Sequence, residues 1–183
     1  GTLLSLAATS RYVAPAGKLT LAAKTGVYIT DNVQGATAAK ALVINADSDS
    51  TGSSGTLTVA SGKTVTSNKS DVTITAWDIE MIGSLTTGTL VLSIHGAEAT
   101  QSIGLGTTIT NMDVSDAELG RLSAIGGLTM GSSHSGSVTV SGVTDANSDA
   151  IGTPTLLATK AAATVSFSVA ASVFNKGILV QAK

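Results

Sequence analysis

Gly55-Thr56-Leu57-Thr58-Val59, Lys63-Thr64-Val65-Thr66, Val72-Thr73-Ile74-Thr75 and Thr89-Leu90-Val91-Leu92-Ser93-Ile94 are variations on one short phrase. An aliphatic side chain stands at every second residue, and Thr or Ser takes most places between. A period of two sends successive side chains to opposite faces of a strand, so each phrase has an apolar face and a hydroxyl face. Matching phrases return at intervals of roughly fifteen to twenty residues, a spacing that suggests coils stacked into a solenoid. The parity predicts an inward set of Leu57, Val59, Val65, Val72, Ile74, Ile79, Met81, Leu90, Leu92 and Ile94. Corners are expected at Ser61-Gly62 and over residues 67–71 and 84–88, where small residues or an Asn tolerate tight backbone geometry.

Working outward, Leu19/Leu21, Val27/Ile29 and Leu42/Ile44 predict earlier strands, and residues 45–55 a loop rich in Asp, Ser and Gly. Leu128/Met130, Val138/Val140, Val165/Phe167/Val169 and Ile178/Val180 predict later ones, for roughly eight to twelve strands in all. Helical periodicity occurs once, over residues 115–123. There Ser115 and Glu118 have the spacing of a capping box, and Leu119 and Leu122 form a small apolar face. The expected fold is all-β, a parallel β-helix with one short helix. A β-sandwich is the alternative, but sandwich cores and hairpins favour aromatics and Asn-Gly or Asp-Gly turns. This chain has one Trp, two Phe, two Tyr and neither dipeptide.

Composition narrows the function classes. Only 12% of the 183 residues are charged and 43% are apolar, while Ser and Thr together exceed a quarter of the chain. Disordered chains are poor in β-branched residues and rich in charge, so a folded chain is expected. The most apolar stretch, residues 161–173, is broken by Thr164, Ser166, Ser168 and Ser172, which argues against a membrane span. The net charge of −2 comes from singly scattered side chains, leaving no basic footprint for nucleic acid or a membrane surface. Cysteine is absent, which excludes disulfides and thiolate metal sites. The chain starts at Gly1 without a recognisable signal peptide, and residues 1–183 read as one solenoid segment of a longer polypeptide.

Gln101-Ser102-Ile103-Gly104-Leu105-Gly106, the run from Met112-Asp113-Val114-Ser115-Asp116-Ala117-Glu118-Leu119 to Leu122, Leu128-Thr129-Met130-Gly131-Ser132 and Gly136-Ser137-Val138-Thr139-Val140 carry a more specific signal. Together they resemble a repeat cassette of filamentous-haemagglutinin-like giant surface proteins and adhesins, with an "IGLG" followed by "SDAEL". Similar repeats occur in giant extracellular proteins of algae and protists. The match covers residues 41–143; Met112-Asp113-Val114 and Gly120 depart from the pattern. The resemblance implies a right-handed parallel β-helix in an extracellular or cell-surface filament, appendage or adhesin. It implies self-association or continuation into further coils, and it supplies no catalytic residue.

Read on their own chemistry, several residues invite other functions. Asp116, Glu118 and Arg121 form the densest charge cluster, which could act on acidic sugars; acids in a first helical turn and an Arg paired with a neighbouring carboxylate explain it structurally. Asp47 and Asp49 open a run of oxygen side chains like a calcium loop, and Asp145-Ala146-Asn147-Ser148-Asp149 does so less fully. The twelfth positions are Thr58 and Leu156, so neither is an EF-hand, and Asx turns account for both. No other cofactor is expected. His95 and His134 lack partners at metal spacing, and Gly104 and Gly106 lack the Lys-Ser/Thr of a phosphate loop. Thr56/Thr58, Thr64/Thr66 and Thr73/Thr75 share one parity and could form columns as in ice-binding solenoids, although Thr is also simply a good strand former. Asn68-Lys69-Ser70 is a glycosylation sequon at an expected corner. Trp77, Tyr12 and Tyr28 are the candidate sugar platforms of a carbohydrate-binding or polysaccharide-active alternative. The leading expectation is a non-enzymatic structural segment.

Overall fold

The computed structural model describes residues 2–183. Alternation drives the chain into short strands, and each strand docks beside one that came a full pass earlier. β1 (Leu4–Leu6), β2 (Tyr12–Val13) and β3 (Leu19–Ala22) found three separate sheets. β4 (Gly26–Ile29), β5 (Asn32–Gln34) and β6 (Leu42–Asn45) add one strand to each, in the same order. β7 (Thr56–Val59), β8 (Thr64–Thr66) and β9 (Val72–Ala76) do so again, followed by β10 (Asp78–Met81), β11 (Ser84–Gly88) and β12 (Leu92–Gly96). Every strand pairing is parallel, so the antiparallel pairs of the sandwich alternative are not found among the described residues.

The order then breaks. β13 (Ile103–Gly106) and β14 (Met112–Val114) are consecutive in the chain yet pair directly with each other and found a fourth sheet. The earlier strand, β13, is the one beside the next arrival, β17 (Val138–Ser141), whereas β14 turns back toward β10. After β14 come the single-turn helix α1 (Asp116–Leu119), then β15 (Leu122–Ala124) and β16 (Leu128–Ser132), which rejoin the second and third sheets. β17 is followed by a second one-turn helix, α2 (Asp145–Ser148), an isolated bridge of Ile151 to Ala124, and β18 (Pro154–Ala158). β19 (Val165–Phe167) and β20 (Leu179–Ala182) complete the fourth and third sheets. No helix among the described residues is long and apolar enough to cross a membrane.

In-register parallel pairing stacks like on like. In the third sheet Leu21, Ile44, Ile74, Ile94, Met130 and Leu156 form one continuous row. These belong to a single apolar cluster extending from Leu21 to Ala163. Burying each such side chain is worth roughly 1.5–3 kcal/mol. Nine of the ten expected inward residues are buried there; Leu90 is not. It is half-buried in the link before β12, and Leu85 is buried in its place. The expected corner at residues 84–88 is strand β11, and its inward Thr87 satisfies its hydroxyl on the Leu90 carbonyl at 2.6 Å. The described residues hold twenty strands and two helices, more than the sequence count because several strands are only two or three residues long.

Gly106 shows how close the backbones come. Its φ is +92°, and a Cβ there would strike the Ser141 carbonyl of β17. Gly106→Ala is therefore expected to cost about 2–4 kcal/mol in urea unfolding, from left-handed strain plus a backbone clash.

Candidate functional site: the carboxylate seam and the Asp47 corner

The first sheet ends at β10 and the fourth begins at β14, and no backbone ladder joins them. Side chains bridge this seam instead. The Asp113 amide of β14 donates to Asp78 Oδ1 of β10 at 3.1 Å. The Met81 amide of β10 donates to Glu118 Oε1 at 2.8 Å, and Arg121 Nη1 donates to the Met81 carbonyl at 2.9 Å. Glu118 Oε2 meanwhile accepts from the Ser115 amide at 2.9 Å and its hydroxyl at 2.8 Å, closing the expected capping box. Both Glu118 oxygens are thus engaged and the residue is buried. Arg121 binds a carbonyl here, rather than the carboxylate its sequence neighbours suggested.

The helix at this site is shorter than expected. It ends at Leu119, and Leu122, taken as part of its apolar face, lies in strand β15. The second calcium-like run, Asp145 to Asp149, is also no loop. It forms α2, with Thr144 as N-cap and Asp149 as C-cap. The helices stack: Asp116 accepts from the Thr144 amide (2.8 Å), the Thr144 hydroxyl (2.9 Å) and Asn147 Nδ2 (2.7 Å). Asp145 in turn faces Asn175 Nδ2 at 3.3 Å.

These environments split the carboxylates by pH. Burial opposes ionisation of Asp116, but its hydrogen bonds from Thr144 and Asn147 outweigh that and hold its pKa below the usual value. Burial pushes Asp78 up, and the hydrogen bond from the Asp113 amide only partly offsets it. A lowered pKa gives stability that is present above the unfolded-state value and lost as pH falls through the folded-state value. A raised one gives stability that is complete below the unfolded-state value and lost as pH rises through the folded-state value. Thermal scans should therefore show Asp116's contribution lost as pH falls below the ordinary Asp value of about 4 and Asp78's lost as pH rises above it. Asp78→Asn keeps the acceptor for Asp113 and should flatten the loss on the alkaline flank; an unchanged flank would contradict this assignment.

Asp47 occupies a second corner, just past β6. It is fully buried, and neither carboxylate oxygen has a hydrogen-bond partner. Burial and the adjacent Asp49 carboxyl raise its pKa. The Thr51 amide points toward it and lowers the pKa in part, yet falls short of hydrogen-bond geometry. Asp49 is exposed, with Lys24 Nζ at 3.7 Å. Nothing in the sequence distinguished the buried Asp47 from the exposed Asp49.

The other candidates are dispersed. The three Thr pairs lie on three different sheets and share no plane: β7, β8 and β9 each carry one. Hydroxyl rows form instead within single sheets: Thr73, Ser93, Thr129 and Thr155 on the third, and Thr66, Thr86 and Ser123 on the second. Tyr12 is on the second sheet and Tyr28 on the first, while half-buried Trp77 sits between β9 and β10. Tyr12 does border an open hollow with Gln34, Thr66 and Asn68. Asn68 is at a corner with φ +55°, and the Ser70 hydroxyl of its sequon is buried, accepting from the Lys40 amide at 2.8 Å. His95 Nε2 lies 3.4 Å from the Thr75 hydroxyl; His134 is exposed. Gly104 and Gly106 are within β13, where their lack of side chains permits close packing. Comparisons with family models, curated proteins and solved structures find no match.

Proposed function

We propose that the chain is a non-enzymatic structural segment of an extracellular filament, cell-surface appendage or adhesin, built as stacked coils of a right-handed parallel β-helix. The observation that carries this reading is the repeated visit to the same three sheets in the same order, with like residues in register from pass to pass. The hand follows the strong right-handed preference of parallel crossovers, and agrees with the adhesin-like resemblance. Such a stack lengthens along one axis by adding strands to its outermost edges. Both outermost passes carry apolar groups at those edges. Leu4, Leu6 and Leu19 are only partly buried on one, and Phe167, Leu179 and Val180 are 52%, 46% and 43% exposed on the other. Self-association or continuation into further coils would cover them. The structural commitments of Asp116, Glu118 and Arg121 support the non-enzymatic reading, because all three are bound to other parts of the fold. Electron microscopy of native material is expected to show rods with an ordered axial repeat, whereas discrete globular particles would overturn the proposal.

The Tyr12 hollow favours a second reading, a carbohydrate-binding surface. An aromatic ring beside the amides of Gln34 and Asn68 and the Thr66 hydroxyl has the chemistry of a sugar platform. A glycan array should then show binding that Tyr12→Ala removes; an array without binding rejects it.

A further inference from the structure

Among the described residues, the buried side-chain oxygens without a hydrogen-bond partner are Asn45 Oδ1, both carboxylate oxygens of Asp47 and Glu98 Oε1. They lie along one border of the third sheet. Asn45 ends β6, Asp47 follows two residues later, and Glu98 follows the end of β12 closely enough for its charge to act on Asp47. The Asp49 carboxyl is also within hydrogen-bonding reach of Asp47. Lys24 lies beside Asp49, and among the described residues no cation pairs with Asp47. The fold is shaped to admit this carboxylate: Gly55 packs against it with φ +102°, and a Cβ at Gly55 would collide with Asp47 Cβ. A sealed carboxylate beside a second acid and lacking a donor is strongly unfavourable as an anion unless a cation or a proton neutralises it.

We propose that this corner binds calcium, with Asp47 and Asp49 as the anionic ligands and Glu98 as a third negative charge in range. An all-oxygen donor set in a chain without Cys suits a hard cation rather than zinc. A loop running from β6 to β7 adapts to calcium's variable geometry better than to the strict octahedron of magnesium. No three His, Asp or Glu side chains among the described residues converge as a ready cage, so backbone carbonyls and water complete the shell. A dissociation constant of about 0.5 mM is expected, within the range of extracellular calcium modules. The proposal stands on the corner geometry and is independent of the filament reading.

The test is thermal unfolding with and without calcium, together with terbium luminescence. Trp77, the single tryptophan, can sensitise terbium here, because its backbone N–H donates to the Gly55 carbonyl at 3.1 Å beside Asp47. Calcium at about 5 mM should raise the Tm of the natural chain by roughly 3–6 °C. Asp47→Asn should abolish that shift and the terbium signal while remaining at least as stable without calcium, since it removes a buried charge. Asp49→Asn should weaken both, which keeps the test decisive if Asp47→Asn does not fold. Asp145→Asn, in α2, should retain the full shift. Absence of a calcium response in the natural chain overturns the proposal, as does an undiminished response in both corner variants. An equal shift with magnesium overturns the assignment to calcium.

Discussion

Ile74→Asp is expected to abolish cooperative folding, whereas Thr73→Asp, one residue away, should leave a folded protein about 1 kcal/mol less stable. Ile74 is fully buried in the middle of β9, between Ile44 of β6 and Ile94 of β12. A carboxylate there has no donor within the aliphatic row and must either stay ionised or take up a proton, at a cost of several kcal/mol in either case. Loss of the packed isoleucine adds about 2–5 kcal/mol. Together these reach the whole stability of an ordinary domain, about 5–15 kcal/mol. Thr73 points the other way, half-buried between Val43 and Ser93, and an Asp there stays partly hydrated. Circular dichroism through a urea titration distinguishes the two variants. Equal damage would mean that the inside and outside of β9 are wrongly assigned.

Glu118→Ala should cost about 3–5 kcal/mol. The substitution strips the acceptor from the Met81 amide and, at the same stroke, from the Ser115 amide of the helix cap. Each buried donor left alone costs about 1–3 kcal/mol, while the Ser115 hydroxyl still accepts from the backbone amide of residue 118. Glu118→Gln keeps one acceptor oxygen but turns the other into a donor that opposes a donor, so roughly half the loss remains. Hydrogen exchange gives the specific readout. Met81 amide protection should fall in Glu118→Ala well before protection in β9 does, because the seam has no backbone ladder to hold it. Parallel loss at both positions would show that Glu118 stabilises the fold generally and does not act as the seam's bridge.

What the sequence disclosed was what alternation encodes. Leu57, Val65, Ile74 and Ile94 were legible because aliphatic and hydroxyl residues alternate cleanly, and each strand needs only its own parity. Leu85 was hidden by its neighbours. Ser84-Leu85-Thr86-Thr87-Gly88 has the composition of a turn, and Thr87 can face inward only because the Leu90 carbonyl happens to receive its hydroxyl. The capping box at Ser115 and Glu118 was legible as local chemistry; Glu118's second bond, to Met81, was not, since it spans 37 residues. The reversed placement of β13 and β14 is a choice between two apolar edges of similar pattern, which no local signal records. α2 was missed although Thr144 is a sound N-cap, because a run of Asp and Asn suits an Asx loop equally well. The Asp47 corner was noticed for its oxygen-rich residues. Burial of one of its two acids depends on Gly55 and on strands far along the chain.

Distances between paired spin labels measure whether successive passes stack along one axis. The chain has no Cys, so labels can be introduced at will. Thr20, Val43, Thr73, Ser93, Thr129 and Thr155 form one row on the third sheet. With strands about 4.8 Å apart, backbone separations from Thr20 should be roughly 10 Å to Thr73, 19 Å to Thr129 and 24 Å to Thr155. Stacked passes give that rising series, with the label linkers contributing a common offset. A Thr20–Thr155 distance no longer than Thr20–Thr129 would contradict it.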